Sequence, residues 1–132
     1  MNLENITEAI TSGIKVQVAS KYIPEYSNCD IPKYFFAYWV TIINNSKQQI
    51  KILNRHWEVI DANGKTEIID GEGVIGKKPI IDVKSSFSYN SFCPISTEFG
   101  IMSGYYHVKC SDGHFMKVKI PAFKLITPFS IN

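Results

Sequence analysis

Gly71, Gly73 and Gly76 in "DGEGVIGKKP" spell G-x-G-x-x-G, followed by Lys77 and Lys78. This is the residue spacing that lets backbone approach a pyrophosphate when a helix begins next, its free N–H groups aimed at the anion. A strand-like "TEIID" precedes the glycines, but Pro79 and the β-branched "IIDV" follow, and Pro79 biases Lys78 away from helical backbone. No βαβ unit surrounds the motif. The expectation is therefore a glycine-shaped loop between strands. The functional alternative is a small-anion or nucleotide site for pyrophosphate or a diadenosine polyphosphate, built from the Gly71, Gly73 and Gly76 amides with Lys77 and Lys78.

Other chemistry-bearing residues are sparse. Cys110 and His114 bracket "CSDGH" with Asp112 between them. Two or three ligands of mixed softness on one turn fall short of a closed zinc site, so the pair is a weak metal candidate and no metal or cofactor is expected. Ser103 in "GIMSGYY" lacks nucleophile-elbow spacing. No acid, base and oxyanion set converges, and no catalytic residue is assigned. In "NRHW", Arg55 falls on the same side of a strand as Trp57 and Val59, where it can pair with a carboxylate or lie over a ring. His56 would point outward beside Glu58.

The elements that position these residues are strands. "GIKVQVAS" sets Ile14, Val16 and Val18 against Lys15 and Gln17. "YFFAYWVTII" is a long aromatic and β-branched run. "IKILNRHWEVID" leads to Asn63-Gly64 and "YYHVKC" to Asp112-Gly113, both hairpin signals. "FSYNSF" alternates, and Met116, Val118 and Ile120 face in while Lys117 and Lys119 face out, with His107 and Lys109 across from them. About seven short strands with turns every eight to twelve residues indicate an all-β antiparallel sandwich or barrel. Residues 1–12 form a short N-terminal segment, either a two-turn helix over 3–10 or a loose tail. Residues 13–132 form one domain.

Bulk properties agree. The chain has 132 residues, 45% hydrophobic and 13% aromatic, with a formal net charge of +2. That size suits one domain with a core of its own, and that charge gives no bulk attraction to nucleic acid or membrane. The outward lysines read as a solvated face, so nucleic acid is not an expected partner. Cys29, Cys93 and Cys110 have no regular spacing. The start "MNLENITEAI" has no signal-peptide pattern, and no apolar run approaches a membrane span. A reducing cytoplasm is the expected setting.

"NRHWEVIDANGK", "GEGVIGKKPII", "FSYNSFCPISTEFGIMSGYY" and "IPAFKLITPFSIN", in this order, resemble the bacterial ApaG family over about residues 13–132. The family pattern is R-H-W, G-x-G-V-x-G-x-x-P, F-x-Y-x-S, G-x-M-x-G-x-Y and I-P-x-F-x-L-x-x-P with a closing Asn. The resemblance implies a fibronectin type III-like, immunoglobulin-like two-sheet sandwich of seven to eight strands with its glycine motif in a non-helical setting. It implies a stand-alone bacterial protein without established catalysis, associated with cobalt tolerance and magnesium efflux, whose gene commonly neighbours one for a diadenosine tetraphosphate hydrolase. Related domains in eukaryotic F-box proteins and a DNA polymerase delta-interacting protein imply protein binding. Trp39 stands where family members more often carry a smaller residue such as Thr.

One feature of "YFFAYWVTII" points to a partner. Phe36, Tyr38, Val40 and Ile42 make one face, and Phe35, Ala37, Trp39 and Ile43 make the other. A sandwich strand needs only one buried face. The second requires cover from the chain's own ends, a second copy in a homodimer, or a protein partner. Phe35, Trp39, Tyr22 and Tyr26 are the candidate partner-binding residues.

Overall fold

A computed structural model describes residues 6–130. Nine strands follow in chain order: β1 (Thr7–Thr11), β2 (Ile14–Tyr22), β3 (Tyr34–Asn44), β4 (Ile50–Asp61), β5 (Thr66–Glu72), β6 (Ile80–Ile81), β7 (Ser85–Ile95), β8 (Phe99–Cys110) and β9 (Phe115–Ile126). Two single 3-10 turns, Pro24–Tyr26 and Pro128–Ser130, complete the described elements. The first sheet runs β1-β2-β3-β7 and the second β5-β4-β8-β9, with β6 pairing the start of β4. Every strand pair is antiparallel. This is a two-sheet antiparallel sandwich, one of the two architectures that alternation left open and the immunoglobulin-like one that the family resemblance implied.

Period-two hydrophobicity explains the layers. Ile14, Val16 and Val18 of β2, Phe36, Val40 and Ile42 of β3, and Val118, Ile120 and Leu125 of β9 are all buried between the sheets. Tyr38, Trp57 and Phe123 form the aromatic centre, with ring centroids 5.4 to 5.9 Å apart. The Asn63-Gly64 and Asp112-Gly113 signals mark the hairpins β4–β5 and β8–β9 as expected. Neither alternative for residues 3–10, a two-turn helix or a loose tail, is what their described part forms. Thr7–Thr11 pairs with β2 as a strand, Thr7 opposite Val18 and Thr11 opposite Ile14; residues 1–5 lie outside the described residues. Two helical turns are marginal alone, and a ladder of sheet hydrogen bonds outcompetes them.

The sandwich's two lateral edges differ. On one side β1 and β2 approach β9: the Lys119 N–H donates to Thr11 Oγ1 at 3.1 Å, and Ser20 Oγ donates to the Lys124 carbonyl at 2.9 Å. On the other side, no strand pairing joins β5 to β7, and a cleft opens between the sheets. No helix among the described residues is long and apolar enough to cross a membrane.

Candidate functional site

The outer face of the first sheet carries the most conspicuous surface feature. Along β3, alternation sends Phe35, Ala37, Trp39, Thr41 and Ile43 outward while Phe36, Tyr38, Val40 and Ile42 fill the core. Register sets Phe35 opposite Pro94, Ala37 opposite Phe92 and Trp39 opposite Asn90 on β7, with Ala19 of β2 opposite Trp39 on the other side. The turn at Pro24–Tyr26 brings Tyr26 against Phe35, centroids 5.6 Å apart, and Phe35 touches Phe92 at 5.4 Å. Phe92 is 49% exposed and Tyr26 64%. Lys33 borders the shallow apolar depression these three rings make.

Of the four sequence candidates, the structure gathers Phe35, Trp39 and Tyr26 on this face and puts Tyr22 elsewhere. Tyr22 lies opposite Phe36 and packs on Phe36 and Phe129, at 5.5 and 5.9 Å, at the rim of the interior. Phe92 was missed. In "SSFSYNSFCPI" the outward positions Ser86, Ser88 and Asn90 are polar, so Phe92 is the aromatic that breaks the outward pattern, a signal present in the sequence.

The glycine motif is a turn built around an arginine. Gly71 lies opposite Arg55, and a Cβ there would sit 2.6 Å from the guanidinium carbon. Gly73 has φ +56°, and a Cβ on it would meet the Lys77 carbonyl oxygen at 1.9 Å. Val74 and Lys77 exchange backbone hydrogen bonds of 2.7 and 2.9 Å across Ile75 and Gly76, and the Gly73 N–H donates to the Leu53 carbonyl. Three amides of the loop are thus spent on protein carbonyls, and no helix follows Gly76 among the described residues. Lys77 and Lys78 are exposed beside it.

The Cys110–His114 pair does not converge. Cys110 packs against the core, and burial and the Asp112 carboxylate raise its thiol pKa. His114 points to solvent and shares a 2.7 Å hydrogen bond with Asp112. Among the described residues, no group of three His, Cys, Asp or Glu side chains is placed to hold a metal ion.

Interior titratable groups are held neutral. Burial pushes the Cys93 thiol up to about 12, with Glu67 adding to the effect. The Tyr89 and Tyr106 hydroxyls, hydrogen-bonded to each other, are also driven upward by burial. Activated nucleophiles require the opposite environment.

The second sheet's outer face sets lysines over two rings, Lys117 over Tyr105 and Lys109 over Phe115. His56 stacks on Tyr105 at 4.7 Å, Lys117 Nζ lies 4.6 Å from the Tyr105 centroid, and His56 Nδ1 shares a 2.6 Å hydrogen bond with Asp70. His56 thus points outward as expected, 3.6 Å from Glu58.

Comparison with known proteins is consistent across three levels. The ApaG domain pattern matches residues 24–110. Protein ApaG of Brucella abortus (strain S19) is 40% identical over 120 residues, 91% of this chain and 92% of that protein. Protein ApaG of Methylorubrum extorquens (strain PA1) is 40% identical over 121 residues, 92% and 93% of the two chains. An X-ray structure from a structural-genomics programme superposes with a TM-score of 0.86 at 37% identity, covering 94% of both chains. A crystal structure of a Bordetella pertussis protein given the name ApaA superposes with 0.85 at 31% identity, covering 96% of this chain and 98% of that one.

Proposed function

The chain belongs to the ApaG domain family, and from that premise we propose that it is a non-catalytic, cytoplasmic binding module that docks a protein partner on the outer face of its first sheet. One observation carries this reading: Phe35, Phe92 and Tyr26 form a contiguous aromatic surface on the outer face of β3, with Phe92 and Tyr26 exposed and Tyr26 laid over Phe35 by the turn at Pro24–Tyr26. Ala37, between Phe35 and Trp39 and opposite Phe92, is only 2% exposed, so the outward rings crowd closely over the sheet. Rigid aromatic side chains lose little conformational freedom when buried and dominate interface energetics. Lys33 at the border supplies a rim cation.

The neutral state of Cys93, Tyr89 and Tyr106 supports a non-catalytic role. The three free thiols, Cys29, Cys93 and Cys110, support a reducing compartment.

The test is a photocrosslinking side chain installed at position 92, or at Lys109 on the opposite sheet, in the full chain. A specific partner should crosslink from position 92 and not from 109, and Trp39→Ser in a folded protein should remove the adduct. Equal crosslinking from both faces, or an adduct indifferent to Trp39→Ser, discards the proposal. An adduct of twice the chain mass identifies the partner as a second copy.

A further inference from the structure

Arg55 and Trp57 share an unmet requirement. Arg55 is half-buried at the lateral opening between β5 and β7, and it lies against Gly71. Its Nη1 donates to the Glu72 and Gly73 carbonyls at 2.9 and 3.1 Å, which fixes the guanidinium plane. Its remaining donors have no hydrogen bond among the described residues, and no described carboxylate reaches it as an ion pair. Two positions along β4, Trp57 is 2% exposed, and its indole N–H, closed off from solvent, is a buried side-chain donor without an acceptor among the described residues. Such an orphan donor is destabilising until it finds an acceptor. Both residues line the same cleft, of about 230 Å³, with Met102, Ile69, Phe92 and Pro94 as apolar walls and Glu67 also at its border.

A half-buried guanidinium with open donors and no close ion pair, beside a buried N–H without an acceptor, calls for a ligand with two acceptor oxygens. Guanidinium recognises planar carboxylate oxygens in a fork geometry. Arg55 and Glu67 together leave the cleft lining without net charge, so a ligand with a single negative charge is favoured over a multiply charged one. The apolar walls call for an organic body, and the volume limits it to a few carbons.

We propose that the β5–β7 cleft binds an organic monocarboxylate, one oxygen taken by the Arg55 guanidinium and the other by the Trp57 indole N–H. The carboxylate can belong to a free small acid or to the end of a peptide chain, and the two share this chemistry. The site is separate from the aromatic face, on which the proposed function rests; Phe92 alone touches both.

The chain has two tryptophans, so a 15N-labelled sample gives two indole signals, and Trp39→Phe assigns the one from Trp57. The full chain is titrated with acetate, 4-methylpentanoate, a peptide with a free carboxy terminus, its amidated twin, and inorganic phosphate, each to about 10 mM, where a millimolar Kd approaches saturation. A saturable shift of the Trp57 indole is expected with 4-methylpentanoate or with the free-terminus peptide, the first assigning a small acid and the second a chain end. Arg55→Lys should weaken the interaction at least about tenfold, because the fork is lost with the charge kept. Ile69→Glu, on a partly exposed wall position of β5, should weaken it without unfolding the sandwich. Trp57→Phe, followed by calorimetry on the folded protein, should lose affinity. An unmoved Trp57 signal with every carboxylate, a shift from phosphate alone, or an undiminished shift in Ile69→Glu overturns the proposal.

Discussion

The outer faces of the two sheets both carry aromatic rings, and they treat them differently. On the second sheet, Tyr105 is enclosed by its own chain's charges: His56 stacks on it, Lys117 lies over it, and Asp70 holds His56. On the first sheet, Phe35 packs against two other rings, Tyr26 and Phe92, and Trp39 faces Ala19 and Asn90 across the strands. Burial therefore does not separate the faces as sharply as partnering does. A ring already satisfied by cations gains little from an incoming surface. A ring surrounded by apolar neighbours gains the full transfer free energy of the area it loses to a partner. The second face also exposes Ile60, Ile68, Ile101, Phe99 and Phe115; Lys109 Nζ lies 5.7 Å from the Phe115 ring centroid, and the isoleucines are aliphatic and flexible, with less area per frozen rotor than an aromatic anchor.

The largest effect should come from the interior side of the same strand. Phe36 is fully buried, and Phe36→Ala should cost about 3–5 kcal/mol in urea unfolding. Its neighbour Phe35, with its outer side open, should cost at most about 1 kcal/mol on the same substitution. Equal losses would mean that the outward face is structural, and the contrast between faces would dissolve. Next, Trp39→Ser or Phe92→Ser should weaken partner binding by about 30- to 1000-fold, the range of interface anchors. Tyr105→Ser should leave that affinity unchanged. A third comparison sharpens the role of charge. Lys117→Ala should lower stability by about 0.5–1 kcal/mol, the size of an exposed cation–π contact, and the loss should shrink as salt rises. Trp39→Ser should show no such salt dependence.

How much of this the amino-acid pattern reveals depends on locality. The core faces of β2, β3 and β9 follow from alternation, because side-chain period is a local property. The two-sided character of β3 was legible for the same reason and led to Phe35 and Trp39. Tyr22 shares the parity of Ile14, Val16 and Val18, so counting along β2 already puts it on the inner side, away from the other three. Thr7–Thr11 is too short for its own pattern to decide; pairing with β2 decides it. The cleft was not legible, although Arg55 was placed on the core side of its strand. Its pairing with Gly71 depends on β4–β5 register, and the opening depends on which edges close, and neither is written in any short stretch.

The smallest prediction concerns the turn at the end of the charged sheet. The backbone N–H of His114 donates to Asp112 Oδ1 at 2.9 Å, and the His114 ring and the Gln48 amide also engage that carboxylate. These hydrogen bonds, the backbone one foremost, stabilise the ionised form and lower the Asp112 pKa to about 2. A carboxylate whose folded pKa is depressed contributes stability above its unfolded value, about 3.9, and loses it as pH falls through the folded one. The turn at residues 110–114 should therefore hold at neutral pH and loosen between about pH 4 and 2. A carboxyl NMR titration should place the Asp112 midpoint near 2, with the His114 amide moving in step, and Asp112→Asn should abolish that movement. Phe35, Trp39 and Phe92 bring no carboxylate of their own, so their amides should stay still through the same window. Movement of both sets together would show that acid loosens the whole sandwich, and the independence of its two faces would fail.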